Sequence, residues 1–404
     1  MRVLALTHRT PFPPDKGDKI RTHHLLSGVA ALGAEVHVVA FAEPPSDLAH
    51  AARLRRRFAS VTLIPLEMRW QRVRALPALL GSAPLTVPVF DHPTMHAAVR
   101  ARVRDLRPDV IFAESTSMAP YALAHPEVPL VMDYVDADSA KWRAYAETAR
   151  VPQRWVYARE ARTLARFERE VAARATISVI TAERERALLE EIAPGCGVRV
   201  LANGVDTDYF SPRAAPSSSR ALVFFGAMDY GANIEAATTL VREVLPRVRA
   251  RYPDARVVIA GARPTPEVRR LAEQRDVTVT GYVDDMRAVV QGCGVCVFPL
   301  RVARGVQNKV LEAMAMGVPV VTTPAVAEGV SAREGSELQV TALGDGGARM
   351  ADAVCALLAD PEEASRVAAR ARVRVESDYG WAPRAAELTQ LLREAASTVA
   401  RSAP

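Results

Sequence analysis

The residues that most clearly point to chemistry are a lysine and a glutamate three positions apart, Lys309 and Glu312, in the segment KVLEAMAMGVPVV. The spacing of Val310, Leu311 and Met314 predicts a helix, so the two charged side chains share one of its faces. An ammonium suits a diphosphate oxygen, and a carboxylate one turn further along suits the hydroxyls of a ribose. The pair therefore indicates a nucleotide diphosphate at a helix start, and the alternative is a solvated ion pair on an ordinary helix.

The flanking residues favour the first interpretation. An apolar run from Val295 to Leu300 predicts a buried strand before Gly305, where the backbone could approach a ligand closely. The N–H groups of a first helical turn attract anions. Gly317 has the position of a left-handed C-cap, and Val320 to Thr323 predicts the next buried strand. Lys309 is also the only lysine in the second half of the chain.

Length and charge exclude several classes of protein. The chain has 404 residues, enough for two domains, and its net charge of +6 is too diffuse to indicate nucleic acid as a partner. A signal peptide and an apolar run of about 18 residues are both missing. We therefore expect a cytoplasmic protein whose membrane contact, if it has one, is peripheral.

The cysteines give a weak metal signal. Cys293 and Cys296 form a CxxC pair next to an apolar run, but no second pair follows. Structural burial is favoured over a zinc or redox site.

Strand and helix patterns alternate twice along the chain. The opening order is a strand (Arg2 to Thr7), a helix (Ile20 to Leu32) and a strand (Val36 to Phe41), which predicts a doubly wound α/β sheet. A polar run, PRAAPSSSR, precedes a second alternation. We expect one domain over residues 1–205, a second over 206–383, and a final helix over 384–399.

Acidic residues end two predicted strands of the first half. Glu114 ends one strand, Asp133 lies in the next, and Asp136 and Asp138 follow it. Ligand clefts of α/β sheets lie at these carboxyl ends, so these residues are candidates for a general base or for orienting an acceptor. Loop capping is the alternative.

Two basic stretches have two interpretations each. Lys16 and Gly17, in the loop after the first strand, could receive an anion or could be solvated. The stretch from Arg53 to Pro88 interleaves arginines with apolar and aromatic residues, which suits an anionic membrane surface. A surface helix and strand with solvated arginines is slightly favoured there.

Two further stretches carry a family resemblance. NGVDTDYF, from Asn203 to Phe210, and KVLEAMAMGVPVV resemble the retaining glycosyltransferases of family four, and GYVDDM and FFGAMDY occur in the family's order. GVQNKVLEAMA, DYVDADSAKW and FFGAMDYGAN resemble more closely the sugar transferases associated with PEP-CTERM/exosortase systems. The resemblance covers essentially the whole chain and implies the GT-B fold, two facing Rossmann-like domains with a central cleft.

The resemblance also implies how a nucleotide-sugar donor, a UDP- or GDP-sugar, is bound. The second domain would bind the donor and the first domain the acceptor, with the final helix crossing back to the first domain. Glu312 would hold the ribose and Lys309 the diphosphate, while Tyr282 and Val283 would lie beside the base. The other implied donor-binding residues are Gly226, Gly305, Val306, Gln307 and Asn308.

The chain departs from the family pattern in its charges. Arg304 occupies the place of the first of two family glutamates, so it would bind the diphosphate or an acidic sugar. Ala227 and Ala232 occupy the places of an arginine and a lysine. Lys309, Arg304 and Arg301 would then supply the positive charge for the diphosphate.

We therefore expect an enzyme of the inner membrane face that transfers a sugar, with retention, to a lipid-linked glycan in exopolysaccharide assembly. Lys309 and Arg304 would stabilise the leaving phosphate, and Asp136 would orient the acceptor near the place of a missing family histidine. The implied acceptor-binding residues are Lys16, Gly17, Glu114, Asp133 and Asp138. No metal or other cofactor is expected. The alternatives are a nucleotide-sugar epimerase or hydrolase, or a non-catalytic assembly subunit.

Overall fold

The chain forms two compact α/β units. The computed structural model describes residues 1–14, 17–43, 47–212, 219–301, 303, 306–330 and 332–400. The first unit contains residues 1–204 and the chain from Trp381 onward, and the second contains Val205–Gly380. The chain passes between the units one residue before the boundary expected from the sequence, and the final helix belongs to the first unit.

The first unit is built on a seven-stranded parallel sheet with strand order β3-β2-β1-β4-β5-β6-β7. Its strands are β1 (Arg2–Thr7), β2 (Glu35–Ala42), β3 (Ser60–Pro65), β4 (Val110–Glu114), β5 (Leu130–Asp133), β6 (Ile177–Ile180) and β7 (Arg199–Val200). The central strands are buried on both faces because helices cover both sides of the sheet.

Nine helices precede the passage into the second unit among the described residues. They are α1 (Gly17–Ala31), α2 (Ala51–Arg55), α3 (Met68–Ala75), α4 (Thr86–Phe90), α5 (Pro93–Leu106), α6 (Ala119–Leu123), α7 (Asp138–Thr148), α8 (Gln153–Arg174) and α9 (Glu183–Ile192). The sequence prediction missed α7, because its apolar residues do not form one clear stripe and its first turn begins in the acidic stretch interpreted as a loop.

The second unit is built on a six-stranded parallel sheet with strand order β10-β9-β8-β11-β12-β13. Its strands are β8 (Ala221–Phe225), β9 (Arg256–Ala260), β10 (Val277–Gly281), β11 (Val295–Phe298), β12 (Val320–Thr322) and β13 (Gln339–Val340). Its helices are α10 (Gly231–Thr239), α11 (Leu245–Arg249), α12 (Pro266–Arg270), α13 (Met286–Val290), α14 (Asn308–Ala315), α15 (Pro324–Ala327), α16 (Ala348–Ala359) and α17 (Pro361–Asp378).

A π-helical segment precedes a proline in the first long helical region of this unit. The segment Leu240–Val244 is a π-helix that joins α10 to α11, and Pro246 lies in the first turn of α11. A proline lacks an N–H donor and cannot continue a regular ladder, so the local change of hydrogen bonding is expected there.

The predicted structural role of the cysteine pair agrees with its surroundings. Cys293 and Cys296 are free thiols buried in the apolar core of the second unit. Burial raises the pKa of the Cys293 thiol to about 11, so the thiolate needed for metal binding is disfavoured at neutral pH.

The last helix, α18 (Trp381–Ala400), returns to the first unit and packs against α1. Leu388, Leu392 and Ala395 are completely buried with Leu25 and Leu26 of α1 in one apolar cluster. The sequence predicted this helix and its return to the first unit, although its observed start lies three residues earlier than expected.

Candidate functional site

Each sheet has one place where its strand order reverses. In the first sheet the order reverses between β1 and β4, and in the second it reverses between β8 and β11. Loops at the carboxyl ends of the two strands then leave in opposite directions, which opens a crevice where ligands of α/β proteins bind. Most of the polar residues predicted from the sequence follow these strands or β5, which is the neighbour of β4.

In the second unit, Lys309 lies at the crevice between β8 and β11. Its Nζ donates a hydrogen bond to Asn233 Oδ1 at 2.5 Å and lies 5.0 Å from the centre of the Phe224 ring. Asn233 Nδ2 in turn donates to the Ala227 carbonyl oxygen at 2.8 Å. The α14 helix therefore contributes the ammonium, and the segment after β8 holds it in place.

Two glycines keep the floor of this crevice open. Gly226 has φ +153°, and a Cβ atom there would lie 2.9 Å from Asn233 Nδ2 and 3.7 Å from Lys309 Nζ. A Cβ atom on Gly261, which has φ +146°, would lie 1.7 Å from the Gly226 carbonyl oxygen. A side chain at Gly226 would crowd Asn233, which supports the lysine, and one at Gly261 would collide with the Gly226 backbone.

The helix start adds positive potential to the ammonium. Gln307 is the N-cap of α14, and its carbonyl oxygen accepts from the N–H of Val310 at 2.9 Å. The first N–H groups of a helix have no intrahelical acceptor, and the helix dipole is positive there. The helix ends in a Schellman motif at Gly317, φ +66°, where Val318 N–H donates to Ala313 O at 3.1 Å, as the sequence predicted for the C-cap.

Burial shifts the pKa values of both charged residues on α14. Desolvation lowers the pKa of Lys309 to about 8, although the nearby Glu312 carboxylate favours the ammonium. Desolvation raises the pKa of Glu312 to about 7, and Lys309 opposes that shift. Both groups therefore titrate near neutrality, and a bound anion or hydroxyl would change their charge states.

The other expected donor-binding residues lie along the same edge of the second sheet. Val306 and Asn308 are exposed beside the start of α14, and Gln307 is half-buried. Tyr282 and Val283 follow β10, and the Tyr282 side chain is 74% exposed. Because β9 and β8 separate β10 from β11, Tyr282 lies about 14 Å along the sheet from the strand before Lys309.

Of the two arginines expected beside Lys309, Arg301 is paired with other residues. Arg301 forms ion pairs with Glu235 at 3.1 Å and with Glu243 at 3.7 Å, so its charge is already compensated. Arg304 and Gly305 lie outside the described residues.

In the first unit, His8 lies at the crevice between β1 and β4. Its Nδ1 is 2.7 Å from Glu114 Oε2, and its Nε2 is 3.1 Å from Asp18 Oδ2. Arg9 also pairs with Asp18, at 2.7 Å. Although burial alone would lower it, the Glu114 and Asp18 carboxylates raise the pKa of His8 to about 9, so the ring is an imidazolium at neutral pH. Glu114 keeps its second oxygen, Oε1, buried and without a hydrogen-bond partner.

Asp133 and the cations of α1 form buried ion pairs. Arg21, 1% exposed, bonds to Asp133 Oδ2 at 2.8 Å and to Asn203 Oδ1 at 2.9 Å. The other oxygen of Asp133 accepts from Val135 N–H at 3.1 Å. Lys19 pairs with Asp47 at 2.9 Å, again inside the protein. These contacts position the first turns of α1 against the sheet and occupy both carboxylate oxygens of Asp133.

Asp136 and Asp138 lie in the loop after β5 and at the start of α7. Val135 precedes them with φ +64°, a strained value for a β-branched residue, and Thr181 Oγ1 holds its carbonyl oxygen at 2.8 Å. Asp136 is exposed, and Asp138 lies 3.9 Å from Lys141. Partial desolvation and the Glu185 carboxylate raise the pKa of Asp136, as desolvation does for Asp138.

The loop after β1 is described only in part. Gly17 begins α1, and a Cβ atom there would meet nothing within 4 Å. Lys16 lies outside the described residues.

A cavity of about 990 Å³ opens at the opposite edge of the second sheet. It is lined in part by Gly294 and Pro319, which directly precede β11 and β12. Its lining also includes Pro212 and Ser219, which flank residues outside the described part of the chain. Lys309 is not among the residues that line this cavity.

The sequence analysis missed four residues of these crevices. Asn233 falls at the end of the FFGAMDYGAN motif but carries no charge, so nothing marked it as the support for Lys309. His8, Arg9 and Asp18 surround the loop after β1. The histidine directly after the first predicted strand was the available signal, because that is where ligand crevices of parallel sheets begin.

Two family descriptions match the chain. The glycosyl transferase 4-like domain matches residues 17–204, and glycosyl transferases group 1 matches residues 219–360. Among curated proteins, the chain is 27% identical over 306 residues to glycogen synthase of Mycobacterium tuberculosis, covering 71% of this chain and 70% of that protein.

Solved structures show the same fold. Anabaena HepE in complex with UDP aligns with a TM-score of 0.64 and 16% identity over 98% of this chain and 100% of that one. Sucrose-phosphate synthase of Thermosynechococcus elongatus aligns with a TM-score of 0.65 and 17% identity over 98% and 99%. Together with the family matches in both units, this two-domain α/β fold with parallel sheets shows that the chain belongs to the group 1 glycosyltransferases of the GT-B fold.

Proposed function

We propose that the chain transfers a sugar from a nucleotide diphosphate donor to an acceptor, with retention of the anomeric configuration. The observation that carries this proposal is the Lys309 ammonium, held by Asn233 over the open backbone of Gly226 at the start of α14. Anabaena HepE, a structural neighbour, is known in complexes with UDP and with UDP-glucose, which supports a UDP-sugar as the first donor to test.

In this proposal the second unit stabilises the leaving diphosphate. Lys309 and the N–H groups of α14 neutralise the charge that develops as the glycosidic bond breaks. Glu312 accepts hydrogen bonds from the ribose hydroxyls, and the exposed ring of Tyr282, with Val283, lies beside the base. Since the charge on the diphosphate is met by these groups, the proposed transfer requires no metal ion or other cofactor.

The first unit binds the acceptor in this proposal. The accessible carboxylate of Asp136 orients the acceptor hydroxyl, and Asp138 and the free oxygen of Glu114 contribute further contacts near Gly17. Asp133 is assigned a positioning role, because Arg21 and the Val135 N–H occupy its oxygens. As expected from the sequence, we assign Arg304 and Gly305 to donor binding and Lys16 to acceptor binding.

We further propose that the acceptor is a lipid-linked glycan in exopolysaccharide assembly, as the resemblance to PEP-CTERM/exosortase-associated sugar transferases suggests, and that the enzyme works at the cytoplasmic membrane face. Within the described residues, no helix is long and apolar enough to cross a bilayer. The proposed membrane contact is therefore peripheral.

A donor screen followed by a transfer assay tests the function. UDP-, GDP- and dTDP-sugars are compared by the rise in melting temperature, and the best donor is incubated with and without lipid-linked glycans. Lys309→Ala should reduce turnover about 100-fold, the scale of removing one preorganised electrostatic donor, about 3 kcal/mol. Arg251→Ala, which removes a surface cation paired with Asp352 at 2.8 Å, is the matched control.

The outcomes separate the candidate functions. NMR of the product reports whether the anomeric configuration is retained. Rapid acceptor-independent conversion of the donor would indicate an epimerase or hydrolase, and tight nucleotide binding without turnover would indicate a non-catalytic subunit. Turnover of Lys309→Ala within twofold of the wild type would contradict the proposed role of the ammonium.

A further inference from the structure

A helical hairpin extends beyond the carboxyl edge of the first sheet. The α7 helix leaves the carboxyl end of β5, and its Ser139 bonds to Glu168 of the antiparallel α8, with 3.1 Å from Ser139 N to Oε1. From this contact α8 continues in one direction to β6 and in the other back to Gln153. At 1.5 Å per residue, the outer part of α8 extends about 22 Å past the contact.

The outer end of this hairpin, residues 141–157, is here called the hairpin tip. It exposes large apolar side chains: Trp155 is 69% exposed, Val151 is 61% exposed and Tyr145 is 46% exposed. Beside them the tilted rings of Trp142 and Tyr157 are in contact, with 5.3 Å between ring centres.

The charges of the hairpin tip are mostly of one sign. Four cations, Lys141, Arg143, Arg150 and Arg154, accompany the single carboxylate Glu147, and all five side chains are exposed. The three arginines form no ion pair with any residue of the described chain, and Lys141 lies 3.9 Å from Asp138. A net charge of +3 therefore surrounds the exposed aromatic rings.

The tip is braced at its base by the segment before α4. Arg159 of α8 donates to the carbonyl oxygens of Gly81 at 2.6 Å and Ala83 at 3.0 Å. Glu160 accepts from the N–H of Leu85 at 2.6 Å and of Thr86 at 2.9 Å. These contacts fix the hairpin to the first unit, which also contains the crevice of His8 and Glu114.

We propose that the hairpin tip docks the enzyme on the headgroup layer of a membrane containing anionic lipids. Trp155 and Val151 would enter the headgroup region, and Arg143, Arg150 and Arg154 would contact lipid phosphates. A net positive charge around amphipathic rings matches an anionic headgroup layer, which attracts arginine and lysine and accommodates aromatic side chains at its surface.

This surface differs from the one that the sequence suggested. In the arginine-rich stretch from Arg53 to Pro88, Phe58 is buried in the apolar core, Leu63 packs against that core, and Arg53 covers the ring of Phe12. The first part of that stretch therefore belongs to the fold of the unit. The docking surface would bring the enzyme to a lipid-linked acceptor, so its purpose rests on the proposed function. Its binding to a membrane can be measured without any acceptor.

Vesicle sedimentation with the purified full-length chain tests the proposal. Binding is expected to vesicles of phosphatidylcholine with one-third phosphatidylglycerol, and little or none to phosphatidylcholine alone. Arg150→Glu with Arg154→Glu should weaken binding at least about 25-fold, since each surface cation contributes about fivefold on an anionic membrane. The matched control, Arg100→Glu with Arg104→Glu, makes the same two charge reversals at exposed arginines elsewhere on the unit and should bind like the wild type.

A depth measurement locates the contact. Brominated lipids should quench the tryptophan fluorescence of the bound wild type, and Trp155→Phe should remove most of that quenching. Absence of wild-type binding to anionic vesicles, equal weakening by the control, or unchanged quenching in Trp155→Phe would each overturn the proposal. Sedimentation velocity addresses a second copy of the chain as the occupant: a dimer that dissociates only in the tip variant, without vesicle binding, would also overturn it.

The same variants separate this proposal from the proposed function. The tip variant should keep the rise in melting temperature caused by the donor, because the tip lies on the other unit from Lys309. A wild type that binds anionic vesicles but no nucleotide sugar would contradict the glycosyl transfer and leave the docking surface supported.

Discussion

Lys309 and Glu312 are both held in a charge state that burial disfavours. The pKa of Lys309 falls to about 8 and that of Glu312 rises to about 7, because each side chain is largely withdrawn from water. In the proposed donor complex, a diphosphate would restore the electrostatic environment that the ammonium lost, and ribose hydroxyls would do the same for the carboxylate. Ligand binding and protonation are therefore coupled at this site.

The coupling predicts a bell-shaped pH dependence for nucleotide diphosphate binding. Affinity for UDP should be highest between about pH 7 and 8, falling below that range as Glu312 is protonated and above it as Lys309 loses its proton. Isothermal titration calorimetry from acidic to alkaline pH measures the profile. Lys309→Ala should abolish the alkaline limb and Glu312→Gln the acidic one, while a limb that survives its own variant would contradict the assignment.

His8 is the corresponding buried charge of the first unit. Its imidazolium lies between Asp18 and Glu114, and the latter side chain is 2% exposed. A buried carboxylate that loses its cation is costly, since the remaining charge has no compensation. His8, at the strand-order reversal, is therefore the cation that pairs with the buried side chain of Glu114.

Replacing His8 by glutamine should therefore destabilise the protein in a pH-dependent manner. Because folding raises the pKa of His8 from 6.5 to about 9, its contribution is complete below about pH 6.5 and is lost as the pH rises through 9. His8→Gln should lower the free energy of unfolding by about 3 kcal/mol at pH 6, and the difference from wild type should shrink as the pH rises above 6.5 and be nearly gone above pH 9. Urea denaturation at several pH values measures this.

The control is another histidine–carboxylate pair. His125 lies 3.2 Å from Glu127, whose side chain is 59% exposed, so His125→Gln should cost less than about 1 kcal/mol. A deficit in His8→Gln that stays constant from pH 6 to pH 10 would argue against the buried imidazolium.

At the scale of elements, the contact between α1 and α18 depends on a missing side chain. A Cβ atom on Gly28 would lie 2.2 Å from the Cβ of Ala385, far closer than two carbon atoms can approach. Gly28 thus allows the two helices to cross closely, and that contact joins the last helix to the first one.

Gly28→Ala should lower the free energy of unfolding by about 1–3 kcal/mol, although alanine favours a helix by about 1 kcal/mol over glycine. The added methyl group forces the helices apart. Denaturant unfolding measures the loss, and Gly28→Ala with Ala385→Gly should recover part of it by exchanging the two positions. Gly231→Ala at the start of α10, where a Cβ atom meets nothing within 4 Å, should be close to neutral.

At the scale of the whole molecule, the chain ends in the unit where it began. The second unit is formed by Val205–Gly380, and the last helix then completes the apolar cluster of the first unit through Leu388, Leu391 and Leu392. A contact between residues at opposite ends of the sequence therefore stabilises the first unit.

Truncation after Gly380 should consequently destabilise the unit at the other end of the sequence. Hydrogen exchange should show lost protection in α1 and β1, because Leu25 and Leu26 lose their apolar cover. Protection in β8 and β11 of the second unit should change little. Equal loss in both units would show that α18 stabilises the molecule as a whole.

The sequence by itself indicated many of the elements, though not α7, and placed the boundary between the units within one residue. Local patterns of a few residues predict strands, helix ends and helix faces, whatever fold surrounds them. Examples are the apolar runs at β11 and β12, the glycine after α14, and the spacing of Lys309 and Glu312. The family motifs added the identity of the fold. Local spacing does not indicate which strands become neighbours in a sheet.

Tertiary structure decided the partners of the charged residues. Lys309 meets Asn233 across 76 positions, His8 meets Glu114 across 106, and Arg21 meets Asp133 across 112. Each of these contacts exists because strands distant in sequence become neighbours in a sheet or because a helix packs across one. The sequence marked Asp133 and Glu114 as acidic ends of strands, but only the packed sheet and its covering helices decided which of their oxygens were already occupied.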